Sequence, residues 1–236
     1  MFQLNLVFKK RSFLFAFSAA LLFSVLSFVL ACFNYYGHEI NEIPSAEKLF
    51  LWGSDSDAVF LMLYYIMPVL CVLPFADSFI TENERNMLPV FLPRVGVKKY
   101  LGGKLLAVAV SAFLVVCVPL LLNLVLCMIT FPVEINNFSQ ISADQAWYFS
   151  PFRMEKLLFP AATISHPYLL CLISVILTGI FCALMAVLSC EFSFFFCRSR
   201  VLILALFFIV NTLLTILSSV AGSEKISCFA PFYYLT

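Results

Sequence analysis

Charge is scarce in this chain. Only 11% of the residues are Asp, Glu, Lys or Arg, against 63% that are hydrophobic, and the stretches 13–33, 59–76, 105–131, 168–188 and 201–220 contain no charged residue at all. That balance excludes a water-soluble fold, whose composition carries roughly a quarter charged residues. Glycine is also sparse, at 7 residues, and no G-x-x-x-x-G-K-[ST] occurs. Gly102-Gly103-Lys104 is followed by Leu105 and lacks the phosphate-cradling loop, so the chain has no nucleotide site of that type and no cofactor of its own is expected. Only two histidines, His38 and His166, are present, and neither has a companion at metal-ligand spacing. Neither H-E-x-x-H nor G-x-S-x-G occurs, which leaves no catalytic constellation and argues against an enzyme. With no ionisable group inside the apolar runs, a proton or ion relay is not expected either.

What the chain does have is length of apolar sequence. A helix rises ~1.5 Å per residue, so ~20 apolar residues cross a ~30 Å hydrocarbon layer while satisfying every backbone group internally. The sequence predicts an all-α, polytopic membrane helix bundle with five spans, forming a single transmembrane domain in the cell membrane. Basic residues set its orientation. Lys9, Lys10 and Arg11, then Arg85, Arg94, Lys98, Lys99 and Lys104, then Arg198 and Arg200 share one side, leaving Lys48, Arg153, Lys156 and Lys225 on the other. The positive-inside rule places the larger group, and with it the amino terminus, in the cytoplasm. The first run, at ~20 residues, exceeds the ~7–15 of a signal-peptide core and reads as a retained anchor. The aromatic segment Ala230 to Thr236 reads either as an outer end or as the connection to a sixth helix.

Nine cysteines include no C-x-x-C pair. Cys71, Cys117, Cys127, Cys171 and Cys182 fall inside predicted spans and read as small apolar fillers. Cys32 and Cys228 are both expected near the outer face, where a disulfide between them is one option. The outer loop 34–57 is acidic and predicts a short helix near Ser45 to Trp52. The outer loop 132–167 carries a capping-box pair, Ser142 with Gln145, and a helix start at Ser150-Pro151. Its aromatic residues fit either an interfacial lid or a substrate-recognition element.

The densest charge lies in the cytoplasmic loop 77–104. Thr81 with Glu84 forms a capping box, Glu82 and Glu84 suit the first turn of a helix, and Pro89 stops it. Lys104 is expected to snorkel to the headgroups, and Lys98 and Lys99 to lie at the same interface. Asp77-Ser78, Glu82-Asn83-Glu84, Leu88, Phe91-Leu92, Arg94, Lys98-Lys99 and Lys104 follow one another in an order that resembles the permease subunits of ATP-binding-cassette exporters of the type-2 class. Asn86 stands where that family commonly has Gly, and Pro89 and Pro93 are additional.

The resemblance implies a coupling helix docked into a separate P-loop ATPase subunit that binds the ATP, with Glu82, Glu84, Arg85 and Arg94 at the contact. It also implies a second permease copy or a related permease, and six spans where five are counted here. The expected partners are those subunits and the lipid bilayer, with no nucleic acid. Asn123 and Asn211 are the strongest polar side chains within the spans and are expected to hydrogen-bond between helices. Ala107 with Ser111, and Gly179 with Ala183, should allow close helix packing, and Pro68, Pro74 and Pro119 should kink their helices. The apolar, aromatic-rich composition suits export of a hydrophobic or amphipathic peptide, antibiotic or lipid-like molecule. A non-transporting immunity or assembly protein fits the same hydropathy, and a membrane-embedded enzyme fits it less well.

Overall fold

The computed structural model describes residues 10–39, 43, 45–50, 66–67, 69–74, 96–133, 167–195, 209 and 212–213, and among these it is helical with no strand. Four helices can be delimited: α1 (Arg11–Asn34), α2 (Ala46–Leu49), α3 (Val97–Thr130) and α4 (Pro167–Phe195). Arg11–Asn34, Lys98–Thr130 and Tyr168–Ser193 are long and apolar enough to cross a membrane, which marks the chain as a membrane-integral protein. The described residues therefore set three spans where the sequence predicts five. The expected second span is seen only at 66–67 and 69–74, helical as far as 72, and the expected fifth only at 209, 212 and 213. The loop 77–95, most of the outer loop 132–167 and the chain beyond 213 lie outside the described residues.

Boundaries differ from the sequence reading in one direction: the spans run past their apolar cores. α3 starts at Val97, not at 105, and takes in Lys98, Lys99, Gly102, Gly103 and Lys104. Gly96, at φ +80°, supplies the turn that admits the helix, and its carbonyl accepts the Tyr100 N–H at 3.1 Å. α4 continues from the expected end at 188 to Phe195 and carries Glu191. Pro74 does not kink a helix, because it lies in the turn that follows 72, where its carbonyl accepts the Ser12 hydroxyl at 3.0 Å. α3 stays helical through Pro119.

α3 is the central element. Half of its membrane window is buried, against 28% for α1 and for α4, which pack on it. Contacts give the directions. Ser24 meets Pro119 and Asn123, while Phe28 meets Phe131, so α1 and α3 run the same way. Cys117 meets Val175 and Tyr168 meets Val133, so α4 runs antiparallel to α3. Ser12 with Pro74, and Ala20 and Ser24 beside Met67 and Leu70, make the 66–74 segment antiparallel to α1.

The burial pattern inverts that of a soluble bundle. α1 buries Phe13, Ala16, Ala20, Ser24, Ser27 and Ala31 at three- and four-residue spacing, while Phe15, Leu22 and Phe33 are exposed. α4 buries Val175, Thr178, Cys182, Ala186, Ser189 and Ser193, and exposes Leu172, Ile176, Ile180, Leu184, Leu188 and Phe192. Lipid tails are as apolar as leucine, so burying large side chains between helices brings no hydrophobic gain. Small residues that bring backbones together gain van der Waals contact instead. At one end of the bundle Ala31, Leu49, Cys127 and Phe131 form a separate cluster, in which α2 lies against α3. The Ala46 N–H donates to the Pro132 carbonyl at 3.0 Å, and the Cys127 thiol to the Leu49 carbonyl at 3.8 Å.

Candidate functional site

Glu82, Glu84, Arg85, Arg94 and Asn211 lie outside the described residues. Lys98, Lys99, Lys104 and Asn123 are all on α3, at two levels. The upper level is a polar clasp in the middle of the bundle. Asn123 is fully buried, and its Nδ2 donates to the Ser24 carbonyl of α1 at 2.8 Å. Ser24 Oγ donates in return to the Pro119 carbonyl at 2.6 Å, so each helix gives one donor to the other's backbone. Asn123 Oδ1 also accepts from Cys127 Sγ at 3.8 Å.

Proline explains the position of the clasp. Pro119 has no N–H to give the Val115 carbonyl one turn earlier, which leaves the local helix ladder one bond short. The Ser24 hydroxyl bonds the α3 backbone at this point, and Asn123, one turn on, bonds the α1 backbone in return. A cavity of about 10 Å³ sits against Pro119, Val115 and Ser24, at the lower limit for a single water.

Removing either half of the clasp should have a measurable but limited effect, since interhelical hydrogen bonds in membranes average ~0.6 kcal/mol and reach ~1.7. Asn123→Ala and Ser24→Ala are each expected to destabilise by about 1 kcal/mol, with the double variant costing less than the sum. Unfolding in bicelles with both single variants and the pair would show it. Strict additivity would mean that the two bonds do not act together.

The lower level holds Lys104, whose side chain turns onto its own helix. Lys104 is fully buried, while Lys98 and Lys99 are exposed. Its Nζ donates to the Tyr100 hydroxyl at 3.2 Å and lies 5.4 Å from the centre of the same ring. One turn of helix places the two side chains together, the tyrosine offering both an acceptor oxygen and a negative ring face. α3 begins two turns before its apolar run, so position 104 falls inside the helix packing. Lys104 thus lies within the helix Lys98–Thr130, one residue before its apolar run.

Ser24, Tyr100 and Cys127 are the partners that the sequence reading missed. Tyr100 was legible as the residue four before Lys104. Ser24 carries no such mark, because it is one of several serines on α1. On α4, Ser189 Oγ is buried with no hydrogen-bond partner, as is Ser45 Oγ at the start of α2. Cys71, Cys117, Cys182 and Cys190 are all buried in the main core cluster. Cys32 packs against the smaller cluster that holds Cys127, and Cys171 against the main one. The seven described cysteines are free thiols, and among the described residues no group of His, Cys, Asp or Glu is arranged to hold a metal ion. Cys228, the other member of the suggested disulfide, lies outside the described residues.

The chemistry available among these groups is cohesion: donors and acceptors satisfied across helices, and one buried cation. They define a membrane-integral helical protein whose polar side chains brace its central helix. No protein-family model, no curated protein and no solved structure matches the chain.

Proposed function

We propose that this chain is the membrane-spanning permease subunit of an ATP-driven exporter of the type-2 ATP-binding-cassette class. In this reading it has five spans in the cell membrane and a cytoplasmic amino terminus. It couples ATP hydrolysis on a separate subunit to movement of a hydrophobic or amphipathic substrate. The observation that carries the reading is the ordered series Asp77-Ser78, Glu82-Asn83-Glu84, Leu88, Phe91-Leu92, Arg94, Lys98-Lys99 and Lys104 between two apolar runs.

The course of α3 supports it. A coupling segment must be attached to something stiff, because a flexible joint would absorb the displacement before it reached the bundle. α3 has 34 residues, a length of about 50 Å, and so exceeds the ~30 Å hydrocarbon layer. Its first turns, with Lys98 and Lys99, continue directly into the central helix. A push delivered next to Val97 would be transmitted along one helix, braced at Pro119 by the Ser24 hydroxyl.

Glu82 and Glu84, with Arg85 and Arg94, are the residues assigned to the ATPase contact. Purification in mild detergent from the native host should bring down a P-loop ATPase with the chain. Glu82→Lys with Glu84→Lys should release it while the chain still accumulates in the membrane. Association that survives the double reversal would remove the coupling assignment.

A further inference from the structure

Between α3 and α4 runs an open, wholly apolar groove of about 320 Å³, lined by Ala109, Val110, Phe113, Ile180, Ala183 and Leu184 among others. One end of it is charged. From Lys99 to Val110 is eleven residues, three turns to within about 20°, so the lysine lies on the groove-lining face about 16 Å below. Leu106, 55% exposed, continues the same face between them. Gly102 and Gly103 complete it and are exposed, and a side chain built on Gly102 would meet nothing within 4 Å. The face therefore passes from a cation, over a stretch of bare backbone, into an apolar slot.

α4 contributes the opposite charge. Glu191 is exposed and lies seven residues from Leu184 and eleven from Ile180, on the face of α4 that borders the groove. Antiparallel pairing of Cys117 with Val175, and of Phe113 with Gly179, carries Glu191 to the level of Leu101, beside Gly102 and half a turn from Lys99. A carboxylate and an ammonium thus flank one end of the slot, on neighbouring helices.

We propose that this face binds a phospholipid with an amino headgroup: acyl chain in the α3/α4 groove, glycerol over Gly102 and Gly103, phosphate on Lys99 and ammonium on Glu191. Lys99 alone would suit any lipid phosphate. Glu191 repels a purely anionic headgroup and attracts one that ends in an ammonium. α1 offers the contrast, with a comparable apolar face at Leu21, Leu22, Val25, Leu26 and Val29, exposed Arg11 eleven residues below Leu22, and no acidic residue along the helix. That face should take lipid without choosing between headgroups.

The test places the photo-crosslinking residue p-benzoylphenylalanine at Leu184 or at Leu22 of the full chain. Each is reconstituted in vesicles of phosphatidylethanolamine and phosphatidylglycerol, and adducts are identified by mass spectrometry. Position 184 should capture phosphatidylethanolamine several-fold above its mole fraction, and position 22 in proportion to it. Glu191→Gln should bring the ratio at 184 back toward the mole fraction, and Lys99→Glu should lower total lipid capture there. Both residues are exposed, so neither change disturbs the buried core. Proportional capture at 184 that Glu191→Gln leaves unchanged would overturn the proposal. Adducts from 184 to residues 201–220 of the same chain, or to a second copy, would overturn it too, since protein would then fill the groove.

Discussion

Leucine in place of Gly179 is expected to leave almost no folded protein in the membrane. α3 and α4 form the most extensive contact of the bundle, and Gly179 lies in it. A β-carbon at this position would run into Cys117 Sγ and come within 2.9 Å of the Phe113 ring. Cys117 has little room to yield, because its thiol donates to the Val175 carbonyl at 3.5 Å. Overpacking of this kind typically costs ~1–3 kcal/mol, and leucine adds three more carbons to a site that lacks space for one. Gly179→Ala should lower thermal stability in detergent by several degrees, and Cys117→Ala in the same chain should restore much of the loss. Wild-type melting of Gly179→Ala would show that the helices can move apart at no cost and that the close approach is not what joins them.

The sequence shows the contact between α3 and α4 better than it shows the site. Gly179 with Ala183 is visible as a small-residue pair, and the structure puts Gly179 in the interface and Ala183 at the groove beside it. Helix identity is equally legible, because an uncharged run of this length has few other ways to satisfy its backbone. What hydropathy misses is where each helix stops. It reads Lys98 to Lys104 as loop because three of the seven residues are lysine and two are glycine, yet lysine is a good helix former and the packing of Tyr100 and Lys104 holds the extra turns together.

Asn123 is legible as an unusual residue in an apolar run. Its acceptor is the Ser24 carbonyl, a backbone group every residue possesses, so no sequence pattern could single it out. For the same reason the inverted burial of α1 and α4 is clearer than the identity of their partners. Alternating small and large residues tell which face turns inward, not which helix receives it.

Charge reversal at Lys104 is the second change expected to have a large effect. Lys104 is fully buried, donates to the Tyr100 hydroxyl at 3.2 Å and lies over that ring. The face of the Tyr100 ring attracts the ammonium and repels a carboxylate. Burying an ion costs several kcal/mol, a large part of a protein's net stability, and Lys104→Glu would bury a carboxylate against that ring face. Lys104→Glu should fail to accumulate as folded protein. Lys104→Met, which keeps the length of the side chain and removes the charge, should fall between it and wild type. Tyr100→Phe, which keeps the ring and loses the hydroxyl, should cost about 1 kcal/mol. Detergent thermal unfolding and the yield of monodisperse protein report all three, and a stable Lys104→Glu chain would mean that the ammonium reaches water after all. The comparison also separates two roles within 77–104. Reversal of Glu82 and Glu84 should leave the chain intact and cost it its partner, whereas reversal of Lys104 should cost it the fold, because the lysine is packed inside the helix that the segment leads into.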